Sequence, residues 1–231
     1  TKQIYEDEFA DSYDSNILPP PYNLKELKMI AEYSTILQQC VDAYRTNSLG
    51  FGFDFEYSFD VNSPDVTNEE KTEAESEWTK LEEFVKYLHF DESAETLLGF
   101  VIEDREKTGN GFIEVIRNGE NKPAGIEYMD VQNVRVCKLS EPIEVDFTYF
   151  EQGQMKSIKR EKRFRKYVQM IDGRMVYFKE YGDPRTLNLE TGQYDEQTPL
   201  EKRANEVVHF KIGSGIYGKP RWIGHIVNLY G

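Results

Sequence analysis

At Gly109 the spacing of apolar residues changes from a helical step to a step of two, and nothing else in the 231-residue chain limits its fold as much. Upstream, Leu24, Leu27, Ile30, Leu37, Cys40, Val41 and Tyr44 recur at helical spacing. So do Ala74, Trp78, Leu81, Val85 and Leu88, then Leu97, Leu98, Val101 and Ile102. Downstream, residues 111–116, 126–129, 134–139, 145–150, 164–171 and 175–179 are short β-branched and aromatic runs between turn residues. An apolar helix stripe and an apolar sheet face must each be covered, and packing one on the other covers both. The expectation is an α+β fold with N-terminal helices packed on a mainly antiparallel sheet.

Local signals set the boundaries. Asn23 can cap a helix with Glu26 reaching back and Tyr22 and Leu27 as a hydrophobic staple, and the stripe runs on to about Thr46. Thr67 and Glu70 form a second capping box, whose helix should seat Trp78 in the core. Ser93 opens a third helix and Gly109 closes it as a left-handed cap. Residues 49–57 place Phe51, Phe53, Phe55 and Tyr57 on alternate positions, which reads as a strand with an aromatic face. Asn118-Gly119 and Asp172-Gly173 are hairpin turns. Residues 1–22, with five acids, Tyr5, Phe9, Tyr13 and the triple proline Pro19–Pro21, read as an extended arm, either disordered or docked on a neighbouring subunit. The organisation expected is therefore an arm (1–22), a helical part (23–109), a β part (110–212) and a closing segment (213–231).

In that closing segment Val207, Val208 and Phe210 end a buried strand, and Gly213, Gly215 and Gly218 let the chain reverse. Pro220 then opens a helix carrying Trp222, Ile223, Ile226, Val227 and Tyr230. Gly218, Pro220, Arg221 and Trp222 make this a structural joint, with Arg221 expected to pair with a carboxylate. A helix without a C-cap at the end of the chain predicts a further C-terminal region.

Charge is unevenly distributed. The net formal charge is −14, yet residues 23–108 carry 8 basic against 20 acidic groups and residues 109–231 carry 19 against 17. Such a field disfavours non-specific nucleic-acid binding by the helical half. The basic groups concentrate in Lys156, Lys159, Arg160, Lys162, Arg163, Arg165 and Lys166, with Phe164 and Tyr167 interleaved. Three roles suit that run: a solvated edge strand, a salt-bridge partner for the acidic helix of another subunit, or a nucleic-acid contact, with alternation placing cations on both strand faces.

Catalytic signals are sparse. His89, His209 and His225 lie far apart with no nucleophile or metal-ligand motif around them. Cys40 and Cys137 lack a CxxC partner and read as buried thiols, and complete phosphate-loop patterns are absent. No catalytic residue, metal ligand or cofactor is expected. No run approaches the roughly 18 apolar residues of a membrane span and the first residues lack the basic-then-apolar pattern of a signal peptide, which leads to the expectation of a soluble protein made in the cytoplasm.

Four stretches, in order, resemble the prophage-type portal proteins of tailed bacteriophages. They are residues 39–47 (QCVDAYRTN) with Gly50-Phe51-Gly52, residues 108–118 (TGNGFIEVIRN), residues 178–185 (FKEYGDPR), and Val208-His209-Phe210 with residues 217–224 (YGKPRWIG). The resemblance implies a structural, non-enzymatic subunit of a homo-oligomeric ring of about twelve copies at the capsid vertex. Double-stranded DNA passes through that ring during packaging and ejection, and capsid, terminase and tail-connector proteins dock on it. It also implies that this chain is mainly the peripheral wing, with stem and clip helices beyond its end, and that the protein assembles in the bacterial cytoplasm and resides in the virion. Two other readings remain beside it: a nucleic-acid-binding module using residues 156–167, and a hydrolase-type enzyme whose acids are hidden among the 42 carboxylates.

Overall fold

The computed structural model of the protein describes residues 7–14, 16–52, 54–151 and 154–225. After a two-residue strand β1 (Ile17–Leu18) come four helices: α1 (Leu24–Tyr33), α2 (Thr35–Leu49), α3 (Asn68–Lys86) and α4 (Ala94–Thr108). Then follow β2 (Asn110–Arg117), β3 (Pro123–Met129), β4 (Val134–Leu139), β5 (Ile143–Glu151), β6 (Gln154–Lys162), β7 (Arg165–Ile171), β8 (Arg174–Glu180) and β9 (Glu206–Lys211). The α+β expectation holds. Seven strands form one sheet in the order β1-β4-β7-β8-β9-β2-β3, antiparallel except where β8 meets β9, while β5 and β6 pair only with each other.

Most helix boundaries follow from their caps. Asn23 accepts the amides of Lys25 and Glu26, Thr67 and Glu70 form the capping box, and Ser93 accepts from Thr96. Gly109 ends α4 at φ +85°. The helix expected from Asn23 to Thr46 is broken at Ser34, whose extended backbone (ψ 109°) frees its hydroxyl to cap α2 through the Leu37 amide. The break rotates α2, so Leu24, Leu27 and Ala31 are buried with Leu37 and Val41, while Cys40 turns to solvent instead of being buried. At the tight turn of the β7–β8 hairpin, Asp172 and Gly173 both take positive φ (48° and 73°), which matches the strands' twist.

The main core lies between the sheet and the helices. Phe112, Met129, Val134, Val136, Tyr167, Phe178 and Val207 meet Leu24 and Tyr217 there. Buried charge fixes the helices in register: Asp104 on α4 is 2% exposed, binds Lys28 of α1 at 3.0 Å, and accepts the Tyr128 hydroxyl and the Val131 amide. Burial pushes the Asp104 carboxyl up against the pull of Lys28. A buried carboxylate is tolerated only with such a full set of partners.

The opposite sheet face is covered by the N-terminal segment. Phe9 is fully buried with Ile17, Cys137 and Val168, and Arg135 lies 4.7 Å over its ring. Arg135 donates to Asp7 at 2.7 Å and to the Tyr13 hydroxyl at 2.8 Å, and Tyr13 in turn donates to Asp7. Residues 7–14 and 16–18 therefore pack on this chain's own sheet through Phe9, Tyr13 and Ile17 and are not an arm reaching elsewhere, because β4 offers an apolar and cationic surface that matches their aromatics and acid. Tyr5 lies outside the described residues.

The described residues of 49–57 do not form the expected strand. Phe55 and Tyr57 pack on the α3 indole instead, with Trp78 ring centroids at 5.8 and 4.7 Å. Phe51 is exposed and Phe53 lies outside the described residues. Nor does α3 enter the core: only Ala74 of it is buried, and Trp78 is half-buried. Trp78→Ala should thus cost about 1–2 kcal/mol, below the 3–5 of a core tryptophan. Its expected signature is faster amide exchange along α3 with the main thermal transition nearly unmoved.

Candidate functional site: a buried joint and a basic hairpin

The C-terminal carbonyls of α4 need partners outside the helix. Gly109 N–H takes the carbonyl of Arg105, the Trp222 indole N–H takes that of Glu106 at 3.2 Å, and the Asn110 amide takes that of Thr108 at 3.1 Å. Two of the three therefore come from groups just after α4, and the third crosses from the end of the described chain.

Gly218 is what lets that end approach. A Cβ there would stand 1.9 Å from the carbonyl oxygen of Gly109 and 2.8 Å from the Ile212 nitrogen, so two backbones touch where no side chain fits. Asn110, fully buried, ties them: its Oδ1 accepts Gly218 N–H at 2.7 Å and its Nδ2 donates to Gly218 O at 3.3 Å. Arg221 pairs with Glu106 at 2.7 Å, as expected of it, and lies 5.2 Å over the Tyr44 ring. Trp222 fills a cluster with Leu27, Ala31 and Leu37. Tyr217 reaches the β1–β4 edge of the sheet, where its hydroxyl accepts the Val136 amide and donates to Leu18 O, both at 2.8 Å. Pro220 accepts Ile223 N–H at the start of a 3-10 turn, Ile223–His225, where the described part of the expected helix lies. Residues 226–231, with Ile226, Val227 and Tyr230, lie outside the described residues.

His209 belongs to this joint. Asn110 Oδ1, already accepting from Gly218, can only accept, so the imidazole Nε2 at 3.0 Å carries the proton. The ring stacks on Phe112 (4.3 Å) and meets Tyr167 edge-on. Burial, with Lys211 and Arg165 nearby, pushes its pKa down to about 3. Its neutral form is the folded form, so this contribution to stability is complete above the unfolded value of about 6.5 and declines as pH falls towards 3. Denaturation midpoints should therefore drop less steeply over that window for His209→Gln than for the wild type. Parallel slopes would show that the imidazole titrates freely.

His89 serves locally. Its Nδ1 accepts the amides of Asp91 and Glu92, and its Nε2 lies 3.0 Å from Glu127, at the entrance to α4. Among the described residues no three His, Cys, Asp or Glu side chains group as a metal site. Nor does any described helix have the length and apolarity to cross a membrane.

The seven basic candidates do not share one surface. Arg165 donates to Cys137 O and Lys166 to Gly192 O within the main sheet, and Arg163 donates to Ser140 O beside it. Lys162 sits at the hairpin base, 3.4 Å from Glu180 and 4.1 Å over Phe164. Lys156, Lys159 and Arg160 lie further out on β6, where Lys159 meets Glu144 at 3.1 Å and Arg160 covers the Phe147 ring at 5.2 Å. The register places cations on both faces of the hairpin, as alternation predicts, but unequally. Ile143, Val145, Phe147 and Tyr149 stand opposite Lys162, Arg160, Ile158 and Lys156 on one face, and the other holds Glu144, Asp146, Glu161 and Lys159. Sequence alternation alone hides this, because the face is shared by two strands whose pairing it does not state.

No protein-family model matches the chain. Over all 231 residues it is 99% identical to the protein YqbA of Bacillus subtilis (strain 168), covering 45% of that protein. It is 64% identical, again over its whole length, to the phage-like element PBSX protein XkdE of the same organism, covering 47% of it. The chain thus spans about half the length of the curated relatives it matches, and one of those relatives is a protein of a phage-like element.

Proposed function

We propose that this chain is the wing portion of a phage portal subunit, a structural part of the ring through which DNA enters and leaves the capsid. The observation that carries the reading is where the four resembling stretches meet. Residues 108–118 pair with residues 208–210 as β2 and β9, and β9 pairs in parallel with β8, which opens residues 178–185. Residues 217–224 cross Gly109, and Tyr44 of the first stretch receives Arg221. Stretches far apart in the chain are thus parts of one joint, as expected when a shared fold and not chance composition retains them. The similarity to a phage-like element protein agrees with it.

In this reading the chain does no chemistry of its own. Among the described residues its buried carboxylates Asp104, Glu106, Asp183 and Glu206 are held by Lys28, by Arg221, by Arg185, and by Arg117 and Lys179, respectively, which is a scaffold's use of charge. Capsid, terminase and tail-connector proteins would be its neighbours, and the virion vertex its place. Electron microscopy of the longer relative that contains this segment, purified from a bacterial host, tests the proposal. Rings of about twelve subunits with an axial channel are the expected result. Monomers, or closed dimers without a channel, at concentrations well above those of a grid would sink it.

A further inference from the structure

We infer that the β5–β6 hairpin is the docking element for a second copy of this chain, and that it seats on the acidic groove beside α3. The hairpin lies outside the seven-stranded sheet, and its strands pair only with one another. A two-stranded ribbon is marginal in water without something against its face. Among the described side chains one face is apolar and cationic: Val145, Phe147, Tyr149 and Ile158 among Lys156, Arg160 and Lys162, with Phe147 51% exposed. A face of that composition calls for a partner with an apolar floor and carboxylates at its rim.

This chain carries such a surface and leaves it open. Along α3, Glu70, Glu73, Glu77, Leu81 and Phe84 fall at three- and four-residue steps on one stripe, all exposed. Beside that stripe Phe59, Val66 and Ala74 floor a groove walled by Glu70, Glu73 and Glu77. The two surfaces are complementary in sign and both apolar at the centre. They are different patches, so the contact between copies is head-to-tail, a geometry that closes into rings or runs on as filaments. Its closure into a ring rests on the portal reading above, whereas the contact itself stands on charge and register. The chain's net charge of −14 disfavours a nucleic acid as the occupant of the hairpin.

A charge exchange tests it. Lys156→Glu with Arg160→Glu makes the hairpin acidic, and Glu73→Lys with Glu77→Lys makes the groove basic. Near-ultraviolet circular dichroism checks that each variant folds. In sedimentation velocity at low salt, across a concentration series, the wild type should self-associate and each variant alone should do so about a hundredfold more weakly. An equimolar mixture of the two should regain association, since each then offers what the other lacks. Variants that associate like the wild type, a mixture that stays monomeric, or a wild type monomeric throughout would each overturn the inference. So would loss of duplex-DNA retention by the hairpin variant with self-association unchanged, which would assign the face to nucleic acid. Rings of the longer relative that persist with the reversed hairpin refute this contact and leave the portal reading intact. Absence of rings from the unaltered relative refutes that reading while the exchange still decides the contact.

Discussion

Gly218→Ala is expected to cost about 4–5 kcal/mol, a value at the extreme of single substitutions. The new methyl would meet backbone on both sides, the Gly109 carbonyl and the Ile212 nitrogen, and backbone cannot swing away as a flexible side chain can. Relief requires the two segments to part. That would break Gly218 N–H to Asn110 Oδ1 (2.7 Å), Asn110 Nδ2 to Gly218 O (3.3 Å) and Ile212 N–H to Gly109 O (2.9 Å). Each leaves a buried polar group unsatisfied, at about 1–3 kcal/mol apiece before relaxation. Against a typical stability of about 5–15 kcal/mol the variant should be largely unfolded at physiological temperature. Gly213→Ala is the control. Gly213 also has a positive φ (+90°) but faces open space, so only backbone strain of about 1 kcal/mol applies. Urea midpoints for the two should differ accordingly, and equal midpoints would mean that the close approach at Gly218 does not exist in solution.

Trp222→Ala should cost about 3–5 kcal/mol. The side chain is 9% exposed and fills the space between α1 and α2, against Leu27, Ala31 and Leu37 with Ile30 and Ile223 at the margin. Truncation leaves a cavity bounded by two helices that Ser34 already holds at an angle, and it also strips the Glu106 carbonyl of its indole donor. Trp222→Phe separates these effects. It restores most of the apolar volume but not the donor, and should cost about 1–2 kcal/mol. Urea denaturation followed by far-ultraviolet circular dichroism reads the stability of both variants, and tryptophan emission then reports on Trp78 alone. Because α3 stands apart from the joint, an unchanged emission envelope before the transition would show that damage is confined to the joint. A loss below about 1 kcal/mol for Trp222→Ala would show that the closing segment is not docked.

Where a signal was local, the sequence alone determined the outcome. Caps at Asn23, Thr67 and Ser93, the left-handed stop at Gly109, the Asp172-Gly173 turn and the change of period at Asn110 each act over three or four residues, through hydrogen bonds and sterics those residues carry themselves. The α+β fold follows from them, whereas the pairing of Arg221, whose side chain is 51% exposed, with Glu106 needs the closing segment to lie across α4. Only the tertiary structure decided the rest. Whether Phe9 is tail or core depends on what β4 offers 120 and more residues away, and whether Phe55 and Tyr57 join a strand depends on a sheet edge being near. Which cations of 156–166 share a face depends on the register of β5 against β6. Whether Gly218 is a turn residue or a point of contact depends on Gly109 arriving opposite it. Burial and pairing are relations between segments. A local pattern can state what a segment requires, but the partner that meets the requirement is set when the whole chain closes around its core.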